Sequence, residues 1–120
     1  PILVCMEALR QVVVNLAGNA VQAMDGHGGD LIVTSRIESG RLAILVEDTG
    51  PGIPAEHLDK IFEPFFTTKQ VGEGTGLGLS VSYSLVTRMG GRLTAGNRPD
   101  GGARFTVSIP LQQAHSGESR

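Results

Sequence analysis

Two glycine-rich runs constrain this chain more than any other feature of its sequence. The first, 48–52, reads Asp-Thr-Gly-Pro-Gly and ends a strongly apolar stretch, so a carboxylate and two glycines stand where a strand is predicted to close. Since glycine has no Cβ, the backbone there can come close to a flat ligand. The second run, 72–78, has glycine at every other position before a helical pattern, which suits backbone amides around phosphate oxygens. Together the runs predict a site that holds a purine base at one end and its phosphates at the other, with ATP as the favoured ligand.

The composition is that of one globular domain. Of the 120 residues, 40% are hydrophobic and 18% are charged, which is ordinary for such a domain. We expect the domain to occupy 1–111 and the polar segment 112–120 to form a flexible tail. Because the chain begins inside an apolar segment, we also expect it to be a fragment of a longer protein.

Charge and cysteine content limit the partners. A formal net charge of −2 gives no broad positive field for non-specific nucleic-acid binding, so no nucleic-acid partner is expected. Cys5 is the only cysteine, which excludes an internal disulfide and favours a reducing, cytoplasmic location. Anchoring of the longer protein in the inner membrane stays open. No apolar run approaches the ~20 residues that span a bilayer, so no direct membrane contact by this domain is expected.

The spacing of apolar residues predicts an α/β fold. In 7–24 they recur at helical spacing, and a polar row lies beside them, formed by Gln11, Asn15, Asn19 and Gln22. Ile2–Cys5 is either a short strand or the lead-in to this helix. A turn at 38–40 is predicted to join two antiparallel strands. The predicted elements are helices at 7–24, 54–61 and 77–89, and strands at 31–37, 41–48, 92–95 and 103–110.

Two asparagines on the first helix are candidate ligands. Asn15 and Asn19 are four residues apart on one helix surface, and their amides need partners because the surrounding residues are apolar. Mg²⁺ is one candidate partner, since it takes few protein oxygens when phosphates supply the rest. The alternative is that both amides are satisfied by backbone groups or water.

Asp48 is the candidate base-binding residue. An ionised carboxylate only accepts hydrogen bonds, which suits the amino group of adenine and disfavours the carbonyl of guanine. The alternative is an aspartate that caps a turn. The 72–78 run lacks the Gly-Lys-Ser/Thr ending of a P-loop and does not follow a strand, which disfavours both P-loop and dinucleotide-binding folds. Lys69 precedes the run and either meets a phosphate or is only solvated.

Four segments, in order, resemble the sequence boxes of sensor histidine kinases. Segment 11–20 resembles their N box, 47–53 the G1 box, 62–66 the F box and 72–78 the G2 box. The F-box region is most similar to the subgroup of nitrogen-regulation, oxygen-sensing and dicarboxylate-sensing kinases. The resemblance implies the Bergerat ATP-binding fold, a two-layer α/β (α+β) sandwich. Its sheet is mixed, mainly antiparallel and of about five strands, with about three helices on one face and an ATP lid.

The resemblance also implies roles for particular residues. Asn19 would hold Mg²⁺, Asp48 would bond adenine, and Thr106 would reach adenine through water. Asn15, Asn19 and Lys69 would form the catalytic group. From the residues themselves, the three phenylalanines of 62–66 are either core residues or, in our interpretation, the anchor of a mobile flap. The remaining residues implied to bind nucleotide are Asn15, Gln22, Gly50, Gly52, Ile53, Phe62, Lys69, Gly74, Thr75, Gly76, Leu77 and Gly78. Gln22 stands where many family members have lysine, so the lysine contact to phosphate that is common in the family is not implied here.

The implied activity is transfer of the γ-phosphoryl group of Mg-ATP to a histidine on a separate dimerisation and phosphoacceptor domain, with a response regulator receiver domain as the indirect partner. Related ATPases have a glutamate at the position of Asn15, and a neutral amide cannot accept a proton from water, so transfer is favoured over hydrolysis. None of His27, His57 and His115 fits the acceptor motif. Two alternatives stay open: a serine kinase that acts on a regulatory protein, and a nucleotide-responsive interaction module without chemistry.

Overall fold

The computed structural model describes residues 2–24, 28–63 and 78–111, with side chains from Met6 onward. Two α-helices and four strands form the described part, together with a short 3-10 helix at Ala55–His57. The helices are α1 (Ile2–Ala23) and α2 (Gly78–Arg88), and the strands are β1 (Leu31–Glu38), β2 (Arg41–Asp48), β3 (Arg92–Asn97) and β4 (Ala103–Pro110). No helix in these ranges is both long enough and apolar enough to cross a bilayer.

The four strands form one antiparallel sheet in the order β1-β2-β4-β3. Ser39 and Gly40 connect β1 to β2, and both have positive φ, at 52° and 75°. Positive φ at both central residues is the backbone of the two-residue hairpin turn whose twist matches that of the strands. The register therefore places Glu38 opposite Arg41 and Leu31 opposite Asp48.

Both helices cover the same face of the sheet. On β4, the residues at odd positions from 103 to 109 are buried and those at even positions are only partly buried, as expected when one face packs against helices. The core between the layers consists of Val12, Leu16, Ile44, Val46, Ile61, Val86, Leu93, Ala103, Phe105, Val107 and Ile109. Asp48 follows Val46 by two positions, so its side chain belongs to this helix-covered face.

The predicted fold class, a two-layer α/β sandwich, is confirmed, and several details differ. Within the described ranges the sheet has four strands instead of about five, and all of its strand pairs are antiparallel. These ranges contain two α-helices instead of about three. The segment Ile2–Cys5 is helical because no glycine or proline interrupts α1 there. The helix predicted at 54–61 is reduced to Ala55–His57, followed by irregular turns in which most backbone bonds join residues three apart.

Candidate nucleotide site

Asp48 closes β2 with its carboxylate buried. The residue is 2% exposed. Its Oδ1 accepts hydrogen bonds from the backbone N–H groups of Gly50, at 2.8 Å, and Ala103, at 3.3 Å. Among the described residues, none is assigned as a hydrogen-bond partner of Oδ2. The arrangement fixes one carboxylate oxygen with two amides and keeps the other able to accept a bond from a ligand.

The turn that follows Asp48 packs closely against the end of α1. A Cβ at Gly50 would lie 3.1 Å from Met24 Cγ and 3.4 Å from the carbonyl oxygen of Ala23. Thr49 is tied to the start of β1, since its Oγ1 accepts from the N–H of Asp30 at 2.8 Å. The turn therefore meets both the last turn of α1 and the neighbouring strand.

Asn15 connects the middle of α1 to the first turn of α2. Its Nδ2 donates to Ser82 Oγ at 3.2 Å and to the carbonyl oxygen of Gly78 at 3.5 Å, and its Oδ1 accepts from Gln11 Nε2 at 2.9 Å. Ser82 is 0% exposed, so this amide supplies a partner to a fully buried hydroxyl. The amide of Asn15 thus holds α2 in position. The sequence did not predict this role.

Asn19 lies between these two contacts. Asn15, Asn19 and Ala23 follow one another at four-residue spacing on one helix surface, and Asn15 and Ala23 are about 12 Å apart along the axis. Asn15 meets the start of α2, and Ala23 meets the turn after Asp48. Asn19 is partly buried, and within the described ranges it has no assigned hydrogen-bond partner. Gln22 is exposed on the adjoining part of the helix.

Phe62 links the start of the aromatic segment to the core. Its ring stacks on Tyr83 of α2, with centroids 5.2 Å apart, and meets Phe105 of β4 edge-on at 6.3 Å. Phe62 is therefore held between a helix and the sheet. The predictions for Lys69, Gly74, Thr75, Gly76 and Leu77, and those for the two following phenylalanines, lie outside the described residues.

Thr106 is not brought to the Asp48 site. It pairs with Leu45 on β2 and with Thr94 on β3, and it alternates with the buried residues of β4. Its side chain therefore points to the sheet face that the helices do not cover, opposite to that of Asp48. This placement argues against the predicted adenine contact. The β4 residue that does meet Asp48 is Ala103, through its backbone N–H.

The hairpin turn between β3 and β4 contributes contacts that sequence reasoning missed. Asn97 bonds both backbone groups of Ile53, and Arg98 Nη1 donates to the carbonyl oxygen of Asp48 at 3.3 Å. Segment 97–102 has the composition of an ordinary turn, so nothing local indicates that it reaches residues about fifty positions away. The composition fits a turn but does not indicate its contacts.

On the uncovered sheet face, Glu47 holds two arginines next to the site. Arg104 Nε lies 2.7 Å from Glu47 Oε2, and Arg98 Nε lies 3.6 Å from the same oxygen. The side chain of Glu47 is 12% exposed. Because Glu47 directly precedes Asp48, this ion-pair cluster fixes the end of β2 from the face opposite to the carboxylate.

Comparison with known proteins identifies the family. The profile of histidine kinase-, DNA gyrase B- and HSP90-like ATPases matches residues 6–113. The chain belongs to this ATPase family. Together with the sensor kinases described next, this match confirms the predicted resemblance to the catalytic, ATP-binding domain of two-component sensor kinases.

Several proteins similar to this chain are sensor kinases. The two-component sensor PprA of Pseudomonas aeruginosa is 48% identical over 111 residues, which cover 88% of this chain and 12% of PprA. The catalytic domain of histidine kinase ThkA is 39% identical with a TM-score of 0.77, over 88% of this chain and 67% of that one. Full-length ShkA in complex with AMPPNP is 36% identical with a TM-score of 0.74, over 86% of this chain and 21% of that one.

A further structure contains ThkA in complex with the response regulator protein TrrA; it is 36% identical with a TM-score of 0.71, over 86% of this chain and 28% of that one. The chain thus spans only a small part of full-length relatives such as PprA.

Proposed function

We propose that this domain binds Mg-ATP and transfers the γ-phosphoryl group to a histidine on a separate dimerisation and phosphoacceptor domain. The observation that carries the proposal is the Asp48 carboxylate, buried at the end of β2 with one oxygen held by two backbone amides. The polar side of α1 extends from this carboxylate toward the start of α2. A base at Asp48 and phosphates near α2 match that arrangement.

Asp48 would recognise adenine. Its Oδ2 would accept a hydrogen bond from the exocyclic amino group, and guanine would be disfavoured because it carries a carbonyl oxygen at that place. Gly50, Gly52 and Ile53 would form the wall of the base site, since the close contacts of Gly50 with Asp48 and Met24 allow no larger residue without displacement. The fixed position of the carboxylate supports selectivity for adenine.

Asn19 would be the protein ligand of Mg²⁺. Its amide is the one member of the asparagine pair that no described residue engages, and a neutral oxygen suits a cation that takes most of its ligands from phosphates and water. Bound Mg²⁺ would neutralise part of the phosphate charge. Asn15 would act by holding α2, whose first backbone amides would face the phosphates. Lys69 and the 72–78 run would complete the phosphate end.

The hydrogen bonds of the Asn15 amide favour transfer of the phosphoryl group over hydrolysis of ATP. Its amide is bonded to Ser82, Gly78 and Gln11, and an amide cannot act as a general base toward water. The acceptor imidazole would come from the phosphoacceptor domain, and a response regulator would act on the phosphorylated histidine. The relatives named above as sensor or histidine kinases, and the complex of ThkA with TrrA, support these partners.

Calorimetric titration with nucleotide tests the two ends of the site. Asp48→Asn should weaken ATP binding by about 100-fold, because an amide both loses a charge and presents a donor to the adenine amino group. The matched control is Asp30→Asn, which neutralises an exposed carboxylate at the neighbouring strand end and should leave affinity unchanged. ATP affinity that survives Asp48→Asn would contradict the proposal.

The same titration with and without Mg²⁺ tests Asn19. Asn19→Ala should weaken binding by about 10-fold when Mg²⁺ is present and have little effect in its absence, since only a ligand to the ion is lost. Gln11→Ala, which truncates an exposed amide two turns earlier on α1, is the control. An equal loss of ATP affinity with and without Mg²⁺ would show that Asn19 is not a ligand of the ion.

Phosphotransfer tests the reaction class. The domain should transfer label from γ-labelled ATP to a histidine-bearing dimerisation domain of a related sensor kinase, and the product should be acid-labile, as phosphohistidine is. An acid-stable product would indicate a serine kinase. Tight ATP binding without any transfer would indicate a nucleotide-responsive interaction module.

A further inference from the structure

Asn97, the last residue of β3, forms a two-point hydrogen-bonded contact with Ile53. The backbone N–H of Ile53 donates to Asn97 Oδ1 at 2.7 Å, and Asn97 Nδ2 donates to the carbonyl oxygen of Ile53 at 2.8 Å. The two residues are 44 positions apart. The Asn97 side-chain amide thus both accepts from and donates to the backbone of Ile53. Because two bonds join the same pair of residues, the contact fixes both the position and the orientation of the backbone at Ile53.

Gly52, which precedes Ile53, permits this contact because it has no side chain. Gly52 has φ of +85°, and a Cβ built on it would lie 2.8 Å from Asn97 Oδ1. Any larger residue would adopt this backbone at a cost and would also push against the Asn97 amide. Gly52 therefore makes room for the side chain that binds its neighbour.

The same hairpin turn also holds the other end of this segment. Arg98 donates to the carbonyl oxygen of Asp48, and the N–H of Ala103 donates to its Oδ1. Gly102 is in close contact with the backbone of Asp48. Residues 97–103 thus determine the positions of both Asp48 and Ile53, the two ends of the 48–53 segment.

We infer that Asn97 is a positioning residue that sets adenine affinity and selectivity. By holding Ile53, Asn97 fixes the spacing between the Ile53 wall and the Asp48 carboxylate, which is the space an adenine ring would occupy. This inference rests on the proposed function. Asn97 would touch neither base nor phosphate and would act through the backbone of Ile53.

Two properties separate this role from general stabilisation. Asn97 is exposed, so its truncation leaves no cavity in the core. Both of its bonds go to the 48–53 segment and neither goes to a helix. Loss of the side chain should therefore alter the base site much more than it alters the folded state.

The test compares nucleotide binding by three variants of the domain. Asn97→Ala removes both bonds, and Asn97→Asp keeps the acceptor for the Ile53 N–H but directs a carboxylate oxygen at the Ile53 carbonyl. The matched control is Thr94→Ala, which shortens an exposed side chain of the same strand on the face that no helix covers. Dissociation constants for ATP, ADP and GTP are measured by calorimetry, and thermal unfolding is followed by circular dichroism.

Asn97→Ala should weaken ATP and ADP binding by the same factor of about 10, which is the size expected for the loss of two neutral hydrogen bonds. GTP binding should change less, so the preference for ATP over GTP should fall. Asn97→Asp should weaken ATP binding at least as much, and Thr94→Ala should stay within about twofold of the parent domain.

Several outcomes would overturn the inference. ATP affinity within twofold of the parent in Asn97→Ala would do so, as would equal losses for ATP and GTP, or a loss for ATP that ADP does not share. If Asn97→Ala does not fold, Asn97→Asp carries the test, and failure of both to fold would assign Asn97 a structural role instead. A parent domain that binds no ATP would refute the proposed function itself, whereas a normal parent with an unaffected Asn97→Ala refutes only the inference.

Discussion

At the end of the site proposed to hold the base, most hydrogen bonds of the 48–53 segment involve a backbone group. At the end proposed to hold the phosphates, the described hydrogen bonds are made by the side chain of Asn15. Gly50, Ile53 and Ala103 use backbone groups at the base end. At the other end, Asn15 reaches Gln11 and Ser82 through side-chain bonds. The first end depends on how strands and turns meet, and the second depends on how two helices are docked.

This difference indicates how each end can respond to substitution. Backbone contacts survive most side-chain changes but fail when a Cβ intrudes, because the chain has no room to move there. Side-chain contacts between helices can be removed singly, with each loss limited to the bonds involved. The base end is thus the less adaptable of the two.

The largest expected effect is at the base end. Gly102→Ala should lower the free energy of unfolding by about 3 kcal/mol or more, because φ is +100° and the new Cβ would overlap the backbone of Asp48. Gly101→Ala is the matched control: its φ is +106° but nothing lies within 4 Å of the added carbon, so only about 1–2 kcal/mol should be lost. Chemical denaturation measures both. Equal losses would show that contact with Asp48 adds nothing.

A smaller effect is expected from the ion pairs behind the base end. Glu47→Gln should cost about 1–2 kcal/mol of unfolding free energy, since it leaves Arg98 and Arg104 without their shared, largely buried carboxylate. Glu38→Gln breaks an exposed pair with Arg36, also at 3.6 Å, and should cost less than about 0.5 kcal/mol. Urea titrations of both variants give the difference. If Glu38→Gln proves as costly as Glu47→Gln, burial of the cluster is unimportant.

The smallest effect on stability is expected at the phosphate end. Asn15→Ala should cost about 1 kcal/mol, because the buried Ser82 hydroxyl loses the Asn15 donor. It should also weaken ATP binding while leaving adenosine binding unchanged, since only the docking of α2 is affected. Gln11→Ala removes an exposed partner of the same residue and should change neither quantity measurably. Calorimetry with ATP and adenosine distinguishes the two ends, and a parallel loss for both ligands would contradict this division.

Much of the fold could be predicted because it follows from local periodicity. The apolar run within 41–48 and the apolar alternation of 103–110 gave two strands with correct ends, and the glycines after Asp48 marked the turn at the site. The start of α1 could not be placed, since a short apolar run such as Ile2–Cys5 is compatible with either helix or strand. The prediction of a helix at 54–61 was wrong, because hydrophobic periodicity does not distinguish one helical turn from a series of irregular turns.

The missed site residues share a physical cause. Asn97 and Ser82 act on partners 44 and 67 positions away, and no local pattern reports such contacts. Thr106 is a different case, because the information was present. Phe105 and Val107 alternate with Arg104, Thr106 and Ser108, and this alternation alone places Thr106 on the polar side of the strand, away from the helices.

The bond between Asp48 and Ala103 joins positions separated by 55 residues. Their contact exists only after β4 has taken its place beside β2, a non-local pairing of the kind that forms slowly. An adenine nucleotide therefore should find no binding site on a nascent or partly assembled chain. Nucleotide added during refolding would report completion of the sheet and would stabilise only the finished domain.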